Sequence, residues 1–169
     1  MANIRIELKN GKHMDLELFE DKAPLSVENF LKYVDDGFFN GLIFHRVIPN
    51  FMIQGGGFTD DGDGLREKPA TYPAIKGEFD SNGVKNTVKH QAGVISMART
   101  MFKNSATCQF FICVDDCDYL DGEYAAFGKV LDKESLKVAK EISEVSTHYW
   151  RGYDDIPNDP VVIKSITRI

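Results

Sequence analysis

No stretch of this chain stays apolar for anything near the roughly 18 to 20 residues that a membrane-spanning helix needs, so a helical membrane protein is excluded. Positive charge is also scarce. Against 26 Asp and Glu stand only 20 Lys and Arg, and the net charge of -6 argues against nucleic acid, whose phosphates are bound by clustered cations. Cysteine is rare and odd in number: three residues make no disulfide framework and fit a reducing compartment. Cys113 and Cys117 have no paired histidine to complete a zinc pattern, while His13, His90 and His148 lie far apart without ligand spacing. No internal repeat is visible. The N-terminus, Met1-Ala2-Asn3-Ile4-Arg5-Ile6, enters an alternating strand pattern with no apolar signal region, so a cytoplasmic location is expected.

What is present is ordinary for a globule. Hydrophobic residues make up 43% and charged residues 27% of a 169-residue chain. A single domain over residues 1–169 is expected, able to bury roughly 70% of its unfolded surface. Ile4, Ile6 and Leu8 alternate with polar residues, Asn10-Gly11 signals a turn, and Met14, Leu16 and Leu18 alternate beyond it, predicting an opening β-hairpin. Pro24 starts a helix whose apolar face is Val27, Phe30, Leu31 and Val34, with Gly37 as the stop. Phe58 to Gln91 is rich in Gly, Asp, Lys and Pro and lacks periodicity, which marks a long loop that wraps a site. Within it Asp60, Asp61 and Asp63 are spaced like a calcium loop, but an EF-hand opened by Asp60 would end in glutamate at the position held by Thr71, and no metal is expected.

Further strands are predicted at 94–97, 109–114 and 125–131, and a second helix from Ser135 to Val145 with Leu136, Ala139 and Ile142 on one face. A last strand runs from Val161 to Ile169, its alternation slipping near Ser165-Ile166 as a bulge would require. The fold class is mainly β. Eight or so strands with two widely separated helices suggest a closed antiparallel barrel capped by those helices.

The richest stretch is Leu42 to Gly57. Phe44, Val47, Phe51 and Ile53 favour strands, Pro49-Asn50 is turn chemistry, and three glycines end the second strand. Inside this apolar hairpin sits Arg46, whose charge cannot be shed. The residues alone leave two readings open: a core hairpin with a snorkelling arginine, or a guanidinium aimed into a ligand cleft. Met52 and Gln54, two apart, share one strand face. His45 adjoins Arg46 but faces the other way, and is expected to be structural.

Phe44-His45-Arg46-Val47-Ile48-Pro49, Phe51-Met52-Ile53-Gln54-Gly55-Gly56, Ser96-Met97-Ala98, Gln109-Phe110-Phe111-Ile112, Leu120-Asp121-Gly122 and Phe127-Gly128-Lys129-Val130 resemble the cyclophilin family in order and spacing. The likeness covers nearly the whole chain, and Met97-Ala98-Arg99-Thr100 is similar to the bacterial branch. It implies the capped eight-stranded barrel and peptidyl-prolyl cis/trans isomerisation without a cofactor. Its substrates would be proline-containing peptides and unfolded proteins, so the activity assists folding.

In that reaction no covalent bond breaks, and the obstacle is an amide rotational barrier of about 18 to 20 kcal/mol. A fixed donor to the nitrogen of the twisted amide stabilises the transition state above either ground state. The resemblance implies Arg46 as that donor, with Gln54 and Phe51 as its catalytic neighbours. It places Phe51, Met52, Phe111 and Leu120 around the proline ring, where the bare pattern alone favours plain core. Ala98, Gln109, Arg99 and Thr100 would line the groove for residues preceding proline. Tyr119 and Tyr124 stand where eukaryotic members carry tryptophan and histidine, so weak cyclosporin binding is expected. Met101-Phe102-Lys103 replaces a Gly- and Asn-rich loop. A competing reading is a proline-binding module or holdase with incidental catalysis, and a monomer is expected in either case.

Overall fold

Alternation of apolar and polar residues builds the first pair of strands. The computed structural model describes residues 2–169, and β1 (Ala2–Leu8) pairs antiparallel with β2 (His13–Leu18), burying Ile4, Ile6, Met14, Leu16 and Leu18 on one face. Gly11, at φ 90°, makes the turn between them. The helix α1 (Pro24–Asp35) has no side-chain cap of its own. Its first amides are satisfied instead by Glu78, which accepts from Ser26 N at 2.6 Å, Ser26 Oγ at 2.8 Å and Leu25 N at 3.2 Å. A buried carboxylate at a helix N-terminus is well placed electrostatically, and it pins the long loop to the helix.

Seven further strands follow before the second helix: β3 (Phe44–Ile48), β4 (Met52–Gly55), β5 (Phe58–Asp60), β6 (Leu65–Glu67), β7 (Val94–Met97), β8 (Phe110–Cys113) and β9 (Ala126–Val130). The second helix, α2 (Lys133–Ser143), begins two residues earlier than the periodicity suggests, because Asp132 caps it by accepting from Ser135 N at 2.8 Å. Beyond it lie β10 (Thr147–Trp150), β11 (Tyr153–Pro157) and β12 (Ile163–Arg168).

Eight strands form one antiparallel sheet in the order β12-β1-β2-β9-β7-β8-β4-β3. The sheet curls around a core in which Phe30 of α1 meets Phe110 of β8 edge to face at 5.5 Å and Phe127 of β9 at 5.2 Å. The expected closure is not a continuous ladder. Edge strands β3 and β12 are joined by a single bridge, Ile43 to Val162, with Ile163 N donating to Leu42 O at 2.8 Å and Phe44 N to Val161 O at 3.1 Å. Pro160, just before this join, has no N–H with which to extend it. The bulge expected near Ser165-Ile166 falls one residue earlier: Glu7 pairs with Ser165 and Leu8 with Ile163, leaving Lys164 unpaired.

Two small hairpins lie where the sequence pattern shows only loop. β5 pairs with β6 inside the long Phe58–Gln91 segment, and β10 pairs with β11 around Arg151 and Gly152, both at positive φ. Their strands are only three to five residues long and none alternates between buried and exposed positions, so the sequence pattern has little to mark. Asp60 and Asp61 turn back on their own loop, accepting from Gly62 N at 3.0 Å and Asp63 N at 3.1 Å.

Candidate active site

Arg46 on β3 lies directly across from Gln54 on β4, and Gln54 in turn faces Phe111 on β8. Strand register thus brings three elements to one surface. There an open pocket is lined by Arg46, Phe51, Met52, Gln54, Ala98, Arg99, Phe111, Leu120 and Tyr124. Its base is a small apolar cluster of Met52, Phe111, Cys113 and Cys117, separate from the main core, against which Phe51, Ala98, Leu120 and Tyr124 pack.

Among the described residues the Arg46 guanidinium makes no ion pair, and its one side-chain hydrogen bond is from Nη1 to Gln54 Oε1 at 3.5 Å. Gln54 donates from Nε2 to Gln109 Oε1 at 3.0 Å. The two amides form a relay that orients the cation while leaving most of its five donors free. Gly57 makes this possible: a Cβ there would lie 2.6 Å from Gln109 Cγ and Nε2.

Phe111 is clamped on two sides. Tyr124 meets it edge to face at 5.7 Å, and His90 lies nearly parallel at 6.1 Å and 15°. His90 is buried, with Nδ1 3.0 Å from Asp121 Oδ1 and Nε2 2.9 Å from Ser96 Oγ. A carboxylate only accepts, so Nδ1 carries the proton and Nε2 accepts from the serine hydroxyl. Burial lowers the His90 pKa, against the opposing pull of Asp121, which keeps this tautomer neutral. Asp121 follows Leu120 of the pocket and also accepts from His90 N at 2.7 Å, tying the 118–120 turn to the floor. Sequence spacing gave His90 no site role, because its partners are 6 and 31 residues away and no local pattern joins them.

Arg99 spends its donors locally. Its Nε and Nη2 donate to Glu123 O at 3.1 and 2.7 Å, Nη1 to Thr100 O at 3.0 Å, and the guanidinium lies 4.9 Å from the Phe79 ring centre and 4.7 Å from that of Tyr124. It forms wall rather than a free cation. Of the twelve residues expected at the site, nine line the pocket and three flank it: Thr100 follows Arg99, Gln109 stands behind Gln54, and Tyr119 lies on the rim, 64% exposed and 5.9 Å from the Phe51 ring. His45 points away, packed at 4.5 Å on Phe58 with its Nδ1 unpartnered. Burial foremost, then the Arg46 charge, lowers its pKa to about 4.

The family model described as cyclophilin type peptidyl-prolyl cis-trans isomerase/CLD matches residues 3–168. The chain belongs to the cyclophilin family. Its activity is peptidyl-prolyl cis/trans isomerisation. Among curated cyclophilins, peptidyl-prolyl cis-trans isomerase A of Dickeya dadantii is 49% identical over 158 residues, 90% of this chain and 77% of that one. Peptidyl-prolyl cis-trans isomerase B of Escherichia coli is 44% identical over 160 residues, 90% of this chain and 91% of the other. Among solved structures, a Cryptosporidium parvum cyclophilin crystallised in the presence of the dipeptide Ala-Pro superposes with a TM-score of 0.77 at 28% identity, covering 99% of this chain and 98% of that one.

Proposed function

We propose that Arg46 drives the isomerisation by donating to the amide nitrogen of the twisted X-Pro bond, acting on flexible or unfolded polypeptides and so assisting their folding. The observation that carries this reading is an arginine without a carboxylate, steered by Gln54 over an apolar pocket. Phe51, Met52, Phe111 and Leu120 offer the dry surface a proline ring requires. As the amide twists, conjugation is lost and the nitrogen becomes an acceptor. A donor fixed beforehand needs no reorganisation at that moment. Because the guanidinium keeps its charge and its plane, lysine is a poor substitute. The Ala-Pro dipeptide used with the Cryptosporidium relative supports a proline-containing ligand here.

The same proposal includes a single isomerase domain over residues 1–169, working as a monomer in the cytoplasm, with the edge bridge at Ile43 and Val162 serving as a barrel seam. Three free, buried cysteines support a reducing compartment.

The test is the rate of cis/trans exchange in a proline-containing peptide, by NMR line shape or a coupled protease, for the wild type beside Arg46→Ala and Arg46→Lys. A fall of more than tenfold in both variants, at least about 1.4 kcal/mol of transition-state stabilisation, is expected. Catalysis indifferent to Arg46 would overturn the assigned mechanism. Peptide binding without catalysis in the wild type would leave a binding module.

A further inference from the structure

Beyond Arg99 the chain makes a tight turn, and at its tip Met101 is 86% and Phe102 71% exposed. Single exposed apolar residues are common on protein surfaces, but two large adjacent ones, more exposed than any other large apolar side chain among the described residues, call for an explanation. The turn beneath them is rigidly built. Ser105 Oγ accepts from Thr100 N at 2.9 Å and donates to Phe102 O at 2.6 Å, while Thr100 Oγ1 accepts from Phe102 N at 3.2 Å. Lys103 Nζ reaches across to Ser81 O at 2.7 Å, and Asn104 Oδ1 accepts from Gly77 N at 3.0 Å and Asn82 Nδ2 at 2.8 Å. At its base the turn is continuous with the wall of the proline pocket through Ala98 and Arg99.

We propose that Met101 and Phe102 form an apolar anchor for the polypeptide whose proline occupies the pocket, favouring substrates with a large aliphatic or aromatic side chain within about four residues of that proline. Reach supports the assignment. Phe102 is four residues from Ala98, so their Cα atoms are at most about 14 Å apart, and an extended peptide covers that distance in about four residues. The many turn hydrogen bonds fix the backbone before binding, so little ordering entropy is lost when the anchor engages. Methionine and phenylalanine suit a varied partner: one is pliable, the other a flat face, and neither asks for a matching hydrogen bond. Lys103 and Asn104 are occupied in holding the turn, which leaves recognition to the two apolar side chains. The proposal rests on the pocket being the proline site.

The test compares kcat/KM for two peptide sets, one with only alanine around the proline and one with leucine or phenylalanine placed two to four residues away, using wild type and Met101→Ser/Phe102→Ser. Expected is a five- to tenfold loss confined to the apolar peptides, with the alanine peptide changed less than twofold and the Met101→Leu/Phe102→Leu variant close to wild type. Equal rates for wild type and the serine variant on both sets would overturn the anchor. Absence of catalysis on every peptide would instead count against Arg46 and the pocket. The Met101 methyl NMR signal then decides the anchor independently: it shifts on addition of the apolar peptide if the anchor exists and stays fixed if it does not.

Discussion

His90 and Phe111 lie face to face, their ring centres 6.1 Å apart and their planes within 15° of parallel. One is a buried imidazole held by Asp121 and Ser96, the other part of the lining of the pocket beside Arg46. Replacing the histidine by leucine removes both the stacked ring and the Nδ1–H donor, leaving to the Asp121 carboxylate only the His90 backbone N–H, at a cost of about 1 to 3 kcal/mol. For His90→Leu we expect a midpoint of thermal unfolding lowered by several degrees and a severalfold rise in KM, with kcat less affected because Arg46 and Gln54 are untouched. Calorimetry beside steady-state kinetics checks this, and a selective loss of kcat would argue against it.

Gly57 controls the amide relay from behind. Alanine there would press on the Gln109 side chain, whose flexible end can swing away but only by leaving Gln54. Gly57→Ala should keep the fold and lose a few-fold in kcat/KM, and Gly57→Ala/Gln109→Ala should be no worse than Gln109→Ala alone. A double-mutant cycle measures the coupling.

Acid should weaken the protein through His45. Its folded pKa of about 4 lies below the unfolded value near 6.5, so between these the unfolded chain binds the proton and the native state does not. Stability is therefore fully present above about 6.5 and is lost as pH falls towards 4, by up to about 3 kcal/mol from this residue. His90, shifted in the same direction by burial, adds to the slope. Urea midpoints from pH 7 to 4.5 should fall less steeply for His45→Leu. The exchange rate itself should stay flat from pH 6 to 9, since the proposed donor is a guanidinium whose charge does not change there.

Cyclosporin should bind weakly. Tyr119 sits on the rim beside Phe51 without an indole N–H to offer. An inhibition constant of micromolar or weaker is expected for the wild type, tightening about tenfold, or 1.4 kcal/mol, in Tyr119→Trp. Sub-micromolar inhibition of the wild type would contradict this reading.

How legible was all this in the sequence? The Leu42–Gly57 hairpin, the opening hairpin and both helices follow from apolar period and turn residues, because each buries one face against the main core. The pocket is legible only through the likeness to cyclophilin motifs, since its apolar residues read alone as core; strand register then brings those motifs together. Besides the β5–β6 hairpin, three features were hidden. The β10–β11 hairpin turns on Arg151-Gly152 rather than Asn-Gly, and its exposed strands carry no alternation. The glutamate that completes the α1 N-terminus comes from more than fifty residues downstream. His90 gains its place only when β7 and the 118–120 turn fold around it.

Trp150 is the chain's single tryptophan, and its ring closes over Gly64, which joins β5 to β6, with the Arg151 guanidinium 5.1 Å from the ring centre. It is absent from the proline-pocket lining. Indole emission from this molecule therefore reports first on the meeting of two surface hairpins. Fluorescence and turnover watch different regions of one small protein, and comparing them during unfolding asks whether its periphery loosens before its pocket.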